Sequence, residues 1–511
     1  MANFFTDRIK DSIGLFSAGT EKYSVFLDNI GKICGEKIAP NATKVDMAGV
    51  KLEGNSVVLP PETLENIENL KNCGYIGAVL PEIYGGKSLP KLFDAAAVEM
   101  ISRADASLMT LVSLAEAGNL IYLYGTEEQK ERILPGIASG KLSCAMALSE
   151  AGAGSDLQAV STVAREENGV WYLTGTKHFV TNGDAGIMLV LAGSEEGVSG
   201  GRGLSLFIRE KGTDDNCRIL NTAEKHGICG SPTCNIRFER AKCELLGKRR
   251  FGLVKYVQEL LLSARLSVAA QALGITEAAL SEAEKYAEHR VQFGKSISEI
   301  PQVARMLEEM RESTAAVRLA VCFAAAKFDA MQSAENASEQ REIRSAVEFL
   351  VPLVKLFAAE TSERVTRDAL QIHGGTGYLR GVPVERLVRD ACITSIYEGT
   401  SQIQISSVVR KTADGTLERL IGTLSGRAAD PETAEKIMQR VKRLTSYASL
   451  LTGNGKSAFC EKELASAAVS IFAAALSAAY RPEYFFHGNF LTRLLNKTDF
   501  FLSVAGASDA I

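Results

Sequence analysis

The chain has 511 residues, of which 46% are hydrophobic, so it can bury a large core and divide into about three or four domains. Its formal charge of -4 and its pI near 6.0 provide no basic footprint for nucleic acid and no polybasic patch for anionic lipid. We therefore expect neither a nucleic-acid partner nor a lipid-surface partner.

The cysteine pattern and the N-terminal sequence indicate the cellular compartment of the protein. The ten cysteines are scattered and form no CxxC pair, a pattern typical of reduced thiols in a cytosol rather than of disulfides or a metal site. The N-terminal sequence MANFFTDRIKDSIG has neither the apolar run of a secretory signal nor the acid-poor character of a transit peptide. We expect that no apolar run approaches the ~18 residues that span a bilayer. These features predict a cytoplasmic protein of bacterial type without an integral membrane segment.

The hydrophobic pattern changes twice along the chain. Residues 1–142 place apolar side chains at helical spacing, as over 92–100, and predict an N-terminal helical domain. Residues 143–250 change to short β-rich runs, such as 170–173 and 187–191, separated by Gly, Asn and Asp. These runs predict a middle β-barrel or β-sandwich domain.

Helical patterns return after residue 250. Over 251–411 they are interrupted by a polar loop near 332–342 and by Pro352, and they predict a helix bundle. The tail, 412–511, contains two amphipathic patterns. One face holds Ile437, Val441, Leu444, Ala448 and Leu451, and the other Leu464, Ala468, Ile471, Ala475 and Ala479. The predicted fold class is α+β, mainly α, with four domains.

The stretch SIYEGTSQIQ sets one carboxylate, Glu398, beside Gly399 among apolar and hydroxylic residues. Burial of a carboxyl group raises its pKa from about 4.3 towards the range in which it serves as a general base. Glu398 is therefore a candidate base. By itself, however, the stretch also fits a Glu that caps or forms an ion pair near a helix start, so other motifs must decide.

Two further segments carry chemistry. The sequence ALSEAGAGSD at 147–156 combines hydroxyls with glycines, which allow backbone N–H groups to approach a ligand closely. In TGTKHFVTNG at 174–183, Phe179 and Thr181 are two residues apart on a strand and would present a ring and a hydroxyl on one face. Alone, these segments also fit an ordinary loop and a half-buried strand end.

Taken together, the motifs resemble those of the acyl-CoA dehydrogenases. After 147–159 and 177–182 follow RVQFG at 290, QIHGGTGY at 371, RDA at 389 and YEGT at 397, in the order of the family. The resemblance implies oxidation of an acyl-CoA thioester to the trans-2-enoyl-CoA, as in fatty-acid β-oxidation. It also implies FAD as cofactor and an electron-transfer flavoprotein as acceptor.

The resemblance also implies roles for individual residues. Glu398 matches the base that removes the α-proton, and its backbone N–H would bind the substrate carbonyl oxygen. The acyl-CoA site would include Ser155, Arg265, Tyr397 and Gly399. The isoalloxazine of FAD would be lined by Met146, Leu148, Ser149, Phe179 and Thr181, with the Thr181 hydroxyl near N5.

A second set of matches concerns subunit assembly. Thr400 and Gln402 match positions near the cofactor. Five further residues match family positions that bind the adenine and pyrophosphate of the neighbouring subunit's FAD: Arg290, Phe293, Gln371, Gly374 and Gly375. The resemblance therefore implies at least a dimer. Because extra tail helices would occupy the surface that pairs dimers into tetramers, we predict a homodimer.

Several residues depart from family patterns. Ala264 stands where a minority of members carry the base, so the assignment stays with Glu398. Met109 stands where glutaryl-CoA dehydrogenases carry an Arg for the distal carboxylate, which disfavours a dicarboxyl substrate. His178 is expected at the surface and His373 as a bonded bundle histidine. The Gly375–Gly377 glycines follow no strand, so they do not indicate a dinucleotide fold.

Two alternatives share the motifs. Acyl-CoA oxidases use the same base and flavin but pass electrons to oxygen. DNA-binding alkylation-response flavoproteins also carry a helical C-terminal addition, but theirs must be basic to bind phosphates. Residues 412–511 contain 11 Lys and Arg against 10 Asp and Glu, which gives little phosphate affinity.

Overall fold

The computed structural model describes residues 3–17, 20–428, 430–453, 460–480 and 489–507. Along these residues the helices are α1 (Asp7–Gly14), α2 (Thr20–Ile33), α3 (Ala42–Ala48), α4 (Pro61–Asn72), α5 (Lys91–Ala104), α6 (Ala106–Val112), α7 (Ala117–Tyr124), α8 (Glu127–Ala138), α9 (Gln258–His289), α10 (Pro301–Gln332), α11 (Ala337–His373), α12 (Pro383–Cys392), α13 (Ser401–Ala413), α14 (Thr416–Ser425), α15 (Pro431–Gly453), α16 (Glu461–Tyr480) and α17 (Asn489–Ala507). The strands are β1 (Lys51–Glu53), β2 (Ser56–Val58), β3 (Cys144–Ala147), β4 (Val163–Glu167), β5 (Val170–Thr181), β6 (Ile187–Gly193), β7 (Leu204–Glu210), β8 (Cys217–Thr222), β9 (Thr233–Leu246), β10 (Val291–Gln292) and β11 (Lys295–Ser296).

The chain forms two compact units. The sheet unit consists chiefly of Phe26–Pro90 and Met100–Ala264. The bundle unit consists of Phe5–Val25, Lys91–Glu99 and Arg265–Ile511. The chain passes from one unit to the other after Phe4, after Pro90, and within α2, α5 and α9.

The strands of the sheet unit close into a ring. Hydrogen-bonded neighbours run β6–β7–β9–β5–β4, and β4 returns to β6 through the pair Val163 and Gly193. Strand β3 pairs with β6 in parallel, and β8 pairs with β9. Closure of the ring removes most exposed strand edges, as in other small barrels.

Strand β6 is buried on both faces, and its residues alternate between two cores. Ile187, Leu189 and Leu191 pack with α7 and α8, whereas Met188, Val190 and Ala192 pack inside the ring: the period of two expected for a strand. Helix α8 begins with a capping box between Thr126 and Gln129, and the Gln129 amide also donates to the Leu245 carbonyl oxygen at 3.2 Å. The helix is thereby attached to β9.

The sequence predicted only helices before residue 143, but β1 and β2 form a hairpin there. Each strand has three residues, too few for a visible alternating pattern. The turn residue Asn55 donates to the Cys217 carbonyl oxygen at 3.1 Å and accepts from the Ile219 N–H at 2.7 Å. The hairpin therefore depends on a contact with β8, which is remote in sequence.

In the bundle unit, α10 packs along α11, and α11 also packs against α12 and α13. The predicted polar loop is shorter than expected, because α11 already begins at Ala337, where Asn336 accepts from the Ser338 and Glu339 N–H groups. Pro352 was expected to interrupt the helix, but α11 continues through it. Its flanking residues are all buried, so packing outweighs the lost hydrogen bond.

The tail forms more helices than the two predicted. Those two are α15 and α16, whose predicted apolar faces are buried except for Ala479, which is half-buried. Helices α14 and α17 were missed. Helix α15 packs on α13, α16 packs on α10, α11 and α13, and Arg493 of α17 forms an ion pair with Glu312 of α10. The tail therefore packs on the helices of the bundle.

The predicted fold class is confirmed: N-terminal helices, a middle sheet domain, and C-terminal helices that continue into a helical extension. The prediction that no apolar run approaches the length of a membrane span was wrong. Among the described residues, Ala106–Tyr124 and Glu461–Tyr480 are long and apolar enough to cross a membrane by length and composition. In each of these two segments, 78% of the most apolar stretch of 18 residues is buried inside the protein, as is typical of core helices.

Candidate active site

Glu398 lies in a strained turn immediately before α13. Its φ is +54°, and the next residue, Gly399, has φ +92°. A non-glycine residue in the left-handed region costs of order 1 kcal/mol or more and persists only when its surroundings enforce it. The φ of Gly399 favours glycine, and a Cβ there would lie 2.8 Å from the Gln404 Nε2 and displace this amide.

Three side chains from three helices hold the carbonyl groups of this turn. Arg265 on α9 donates from Nε to the Glu398 oxygen at 2.9 Å. Lys355 on α11 donates from Nζ to the Gly399 oxygen at 2.7 Å, and Gln404 on α13 donates to the same oxygen at 2.8 Å. We call Arg265, Lys355 and Gln404 the carbonyl donors. They account for the persistence of the strained backbone.

Ionisable groups around Glu398 have shifted pKa values. Burial lowers the pKa of the Lys355 ammonium to about 7, with Glu398 acting in the opposite direction. Burial also lowers the pKa of Arg265, again opposed by Glu398. The pKa of Tyr397 is raised by burial and by Glu398, and its hydroxyl donates a short hydrogen bond to Gln271. Clustered perturbed groups of this kind are typical of catalytic sites.

In the sheet unit, β5 ends in a bulge that exposes an aromatic ring. Its pairing with β9 shifts register between Lys177 and Val180, and Phe179 within the bulge has φ +57°. The Phe179 side chain is 68% exposed. A bulge re-aims side chains, so the simple alternation expected for Phe179 and Thr181 is interrupted. Thr181 is half-buried.

A buried ion pair connects the loop after β3 to this strand. Lys177 is fully buried, and its Nζ donates to Glu150 at 2.8 Å and to the Leu148 carbonyl oxygen at 2.9 Å. Glu150 also accepts from the Ser161 and Thr162 N–H groups. Burial raises the Glu150 pKa, but hydrogen bonds from Lys177 and Ser161 outweigh it and lower the pKa to about 2. Burial lowers the Lys177 pKa to about 8.

A further group of side chains lies at the ends of α9 and α11. The rings of Tyr286 and His373 stack there, with their centroids 4.2 Å apart. Strands β10 and β11 form a hairpin whose two turn residues, Phe293 and Gly294, both have positive φ. Type I′ turns of this kind favour Asn and Gly, so Phe293, at 92% exposed, is an unusual choice for the position.

Comparison with known families identifies the chain. Residues 20–141 match the N-terminal domain of acyl-CoA dehydrogenases, 145–241 the middle domain and 254–413 the C-terminal domain. The chain belongs to the acyl-CoA dehydrogenase family. It is therefore an oxidoreductase of a family whose members are FAD-dependent. The matches end near the start of the helical extension.

Two relatives illustrate the range of chemistry among similar proteins. The acryloyl-CoA reductase (NADH) of Anaerotignum propionicum is 38% identical over 355 residues, which cover 68% of this chain and 86% of that protein. The 3-methylmercaptopropionyl-CoA dehydrogenase of Ruegeria pomeroyi is 33% identical over 450 residues, covering 81% of this chain and 76% of that protein. One relative is a reductase and the other a dehydrogenase.

Solved structures show the same fold. Butyryl-CoA dehydrogenase from Megasphaera elsdenii is 32% identical with a TM-score of 0.67, and the match covers 80% of this chain and 98% of that one. Caenorhabditis elegans ACDH-11 in complex with C11-CoA is 18% identical with a TM-score of 0.83, covering 98% of this chain and 92% of that one. This second match extends the likeness in fold to the C-terminal extension.

Within each unit, the residues assigned by the acyl-CoA dehydrogenase resemblance form groups. In the sheet unit, the His178 N–H donates to the Ser149 carbonyl oxygen at 2.9 Å, which brings the Met146–Ser149 segment beside Phe179. Met146 and Ser149 are half-buried, Leu148 is buried, and Ser155 is exposed on the following loop. In the bundle unit, Arg265, Tyr397, Glu398 and Gly399 lie together, and Thr400 is the N-cap residue of α13.

The remaining assigned residues lie at the surface. Gln402 is exposed on α13, and Arg290, Phe293, Gln371, Gly374 and Gly375 are exposed around the ends of α9 and α11. His178 is half-buried rather than fully at the surface. His373 is buried, with Nδ1 bonded to the Ala369 carbonyl oxygen at 2.8 Å, as expected for a bonded bundle histidine. The 374–378 glycines follow α11 and not a strand.

The residues present fit the cofactor that the family requires. A planar ring system needs an exposed aromatic face beside close-approaching backbone, and Phe179 on its bulge provides that face next to the Met146–Ser149 segment. Within the described ranges, no cluster of His, Cys, Asp and Glu could hold a metal ion, and all ten cysteines are free thiols.

Four functional residues were missed in the sequence. Lys355 and Gln404 hold the turn of Glu398, and Glu150 and Lys177 fix the loop beside Phe179. Lys355 could have been found, because it is the single charged residue in the apolar run FLVPLVKLFAA at 349–359. A buried lysine in such a run requires a partner.

Proposed function

We propose that the protein is an FAD-dependent acyl-CoA dehydrogenase that oxidises a saturated acyl-CoA thioester to the trans-2-enoyl-CoA. The observation that carries this proposal is the position of Glu398 in a strained turn, with its backbone held by three side chains. Such a turn fixes a carboxylate and its own N–H in one orientation, which general-base catalysis requires.

In this reaction the residues of the chain act on the α-carbon. The Glu398 N–H would donate to the thioester carbonyl oxygen and stabilise the negative charge that develops there, an effect typically worth a few kcal/mol. The Glu398 carboxylate would then take the α-proton. Bound FAD supplies the acceptor for the β-hydrogen, which leaves as hydride. Arg265, Tyr397 and Gly399 would position the acyl thioester, and Ser155 the CoA portion.

FAD would be held by the residues that carry the family resemblance. Met146, Leu148, Ser149, Phe179 and Thr181 would contact the isoalloxazine, with Thr400 and Gln402 nearby. The exposed group Arg290, Phe293, Gln371, Gly374 and Gly375 would bind the FAD of a second copy, so we propose a homodimer. We further propose an electron-transfer flavoprotein as acceptor and a cytoplasmic location.

The reverse reaction is a second candidate, favoured by the 38% identity to acryloyl-CoA reductase. The same residues serve both directions, because the conjugate acid of Glu398 would return the proton to the α-carbon. Which direction predominates depends on the electron partner. Anaerobic mixing of the reduced protein with an enoyl-CoA, compared with mixing of the oxidised protein with an acyl-CoA, distinguishes them.

The proposal is tested by flavin bleaching. The purified protein should be yellow, and a panel of saturated acyl-CoAs should bleach it anaerobically. The variant Glu398→Gln retains the shape but removes the base, so its bleaching rate should fall at least ~100-fold while acyl-CoA binding persists. Near-normal bleaching in this variant, or a folded protein that does not bind FAD, contradicts the proposal. Rapid reoxidation by air would instead indicate an oxidase.

The shared cofactor site is tested by Arg290→Glu. If Arg290 binds a pyrophosphate, the substitution replaces a charge-assisted hydrogen bond with repulsion, and FAD retention should fall without unfolding. Arg305→Glu, on the exposed surface of α10, is the matched charge-reversal control. Sedimentation should show a dimer for the wild type. Unchanged FAD retention in Arg290→Glu removes this residue from the site.

A further inference from the structure

Lys355 is an unusual residue for the interior of a helix bundle. It lies on α11 between Val354 and Leu356, and its exposed fraction is 0%. Its Nζ donates to the Gly399 carbonyl oxygen at 2.7 Å. That oxygen is neutral and already accepts from the Gln404 amide, so a neutral donor alone would satisfy it. The hydrogen bond therefore does not explain why an ammonium group is retained there.

The charged groups around Lys355 suggest a reason. Among the described residues, those that act on its ammonium are Glu398, on the turn before α13, and Arg265, on α9, while α13 contributes the neutral Gln404 amide. Arg265 disfavours the charge and Glu398 favours it. Burial lowers the Lys355 pKa to about 7, and the ammonium is retained at lower pH partly through Glu398. Because the interaction is mutual, the ammonium favours the ionised form of the carboxylate.

We infer that Lys355 is a positioning residue for Glu398: it fixes the Gly399 carbonyl from α11 and supplies a buried positive charge that keeps the Glu398 carboxylate ionised. This inference rests on the proposed role of Glu398 as base. Gln404 holds the backbone from a neutral amide, and Arg265 holds it from a half-buried guanidinium whose charge also interacts with Glu398. Lys355 adds a second positive charge, from a fully buried ammonium.

The charge and the hydrogen bond can be separated by substitution. Lys355→Met removes both, Lys355→Gln retains an N–H donor without charge, and Lys355→Arg retains charge. Lys411→Met removes a lysine from α13 that lies 3.9 Å or more from its acidic neighbours and serves as the matched control. The measurement is the pH titration of the Glu398 carboxyl band by infrared difference spectroscopy, identified by its absence in Glu398→Gln. It requires neither FAD nor turnover.

The expected result is that Lys355→Met and Lys355→Gln raise the midpoint of the Glu398 titration by about 1 pH unit or more, because a buried positive charge that favours the carboxylate is lost. Lys355→Arg and Lys411→Met should leave the midpoint unchanged. The acid limb of the flavin-bleaching rate should move by the same amount. Because Gln and Arg are both polar and long, at least one of these two variants should fold even if Met does not.

A Glu398 midpoint that is the same in wild type and in a folded Lys355→Gln or Lys355→Met protein overturns the inference and leaves Lys355 a structural role alone. Suppose that Lys355→Gln and Lys355→Met do not fold, while Lys355→Arg folds and shifts the Glu398 midpoint. The positive charge is then not the determinant of the midpoint, and the inference also fails. Absence of bleaching in the wild type would instead contradict the proposed function, and the infrared titration would still decide the role of Lys355.

Discussion

Among the described residues, Lys177 and Lys355 are the two lysines with no exposed surface, one in each unit, and they are held in different ways. Lys177 in β5 forms a 2.8 Å ion pair with Glu150, a carboxylate that also accepts from the Ser161 N–H, the Ser161 hydroxyl and the Thr162 N–H. Lys355 in α11 donates to a neutral carbonyl oxygen, and the Glu398 carboxylate acts on its ammonium electrostatically. Burial lowers the pKa of Lys177 to about 8 and that of Lys355 to about 7.

The difference indicates what each charge does. A buried charge in an ion pair contributes to stability mainly when both partners are present. Removing one partner leaves the other charge buried without compensation. Lys177 and Glu150 therefore behave as a structural unit that attaches the 148–162 loop to the strand of Phe179. A buried charge without a close ion pair contributes little to stability but strongly influences a neighbouring carboxylate. Lys355 should therefore affect chemistry more than folding.

The largest effect that tests this comparison is expected for Lys177→Met. It leaves Glu150 buried without its ammonium partner, and breaking a buried pair in this way typically costs about 3–5 kcal/mol. Lys355→Met should cost only about 1 kcal/mol, because the Gly399 oxygen keeps its bond from Gln404. Trp171, the only tryptophan, lies in β5, so its fluorescence during urea unfolding reports on the sheet unit.

The double variant Lys177→Met with Glu150→Gln is the control for that prediction. If the cost comes from the uncompensated carboxylate, the double variant should recover part of the stability lost in Lys177→Met. Equal costs for Lys177→Met and Lys355→Met, or no recovery in the double variant, would show that the two lysines do not differ in the way that their partners suggest.

The sequence predicted the larger elements because their patterns are long. The continuous apolar run at 187–191 and the apolar faces of α15 and α16 each cover several residues, so the signal exceeds local variation. The three-residue strands β1 and β2 lacked such a signal, and their hairpin depends on Asn55 bonding to β8. Pro352 was misleading because a local rule was outweighed by burial of α11.

The site was predictable where its residues form contiguous motifs and not where the fold brings them together. Glu398 and Gly399 stand in one short stretch, but Lys355 is 44 residues before Gly399, and Lys177 is 27 residues after Glu150. Neither spacing carries a periodic signal. The bulge at Phe179 was also missed, because the alternation rule assumes a regular strand and the register shift depends on β9.

The smallest expected effect is the dependence on acid pH of the contribution that Glu150 makes to the free energy of unfolding. Its pKa is about 2 in the folded protein and rises to about 4.5 on unfolding. A lowered folded pKa gives stability that is fully present above about pH 4.5 and is lost as the pH falls towards 2. The stability gap between wild type and Glu150→Gln should therefore be about 1 kcal/mol smaller at a pH near 3.5 than near 6.

Urea unfolding followed by Trp171 fluorescence at these two pH values measures the gap. Glu239→Gln, an exposed substitution on β9, is the matched control, and its gap from wild type should not change. If the Glu150→Gln gap is equally constant, Glu150 is not held as a carboxylate by Lys177. The loop beside Phe179 would then depend on neutral hydrogen bonds, and the contrast between the two lysines would lose its physical basis.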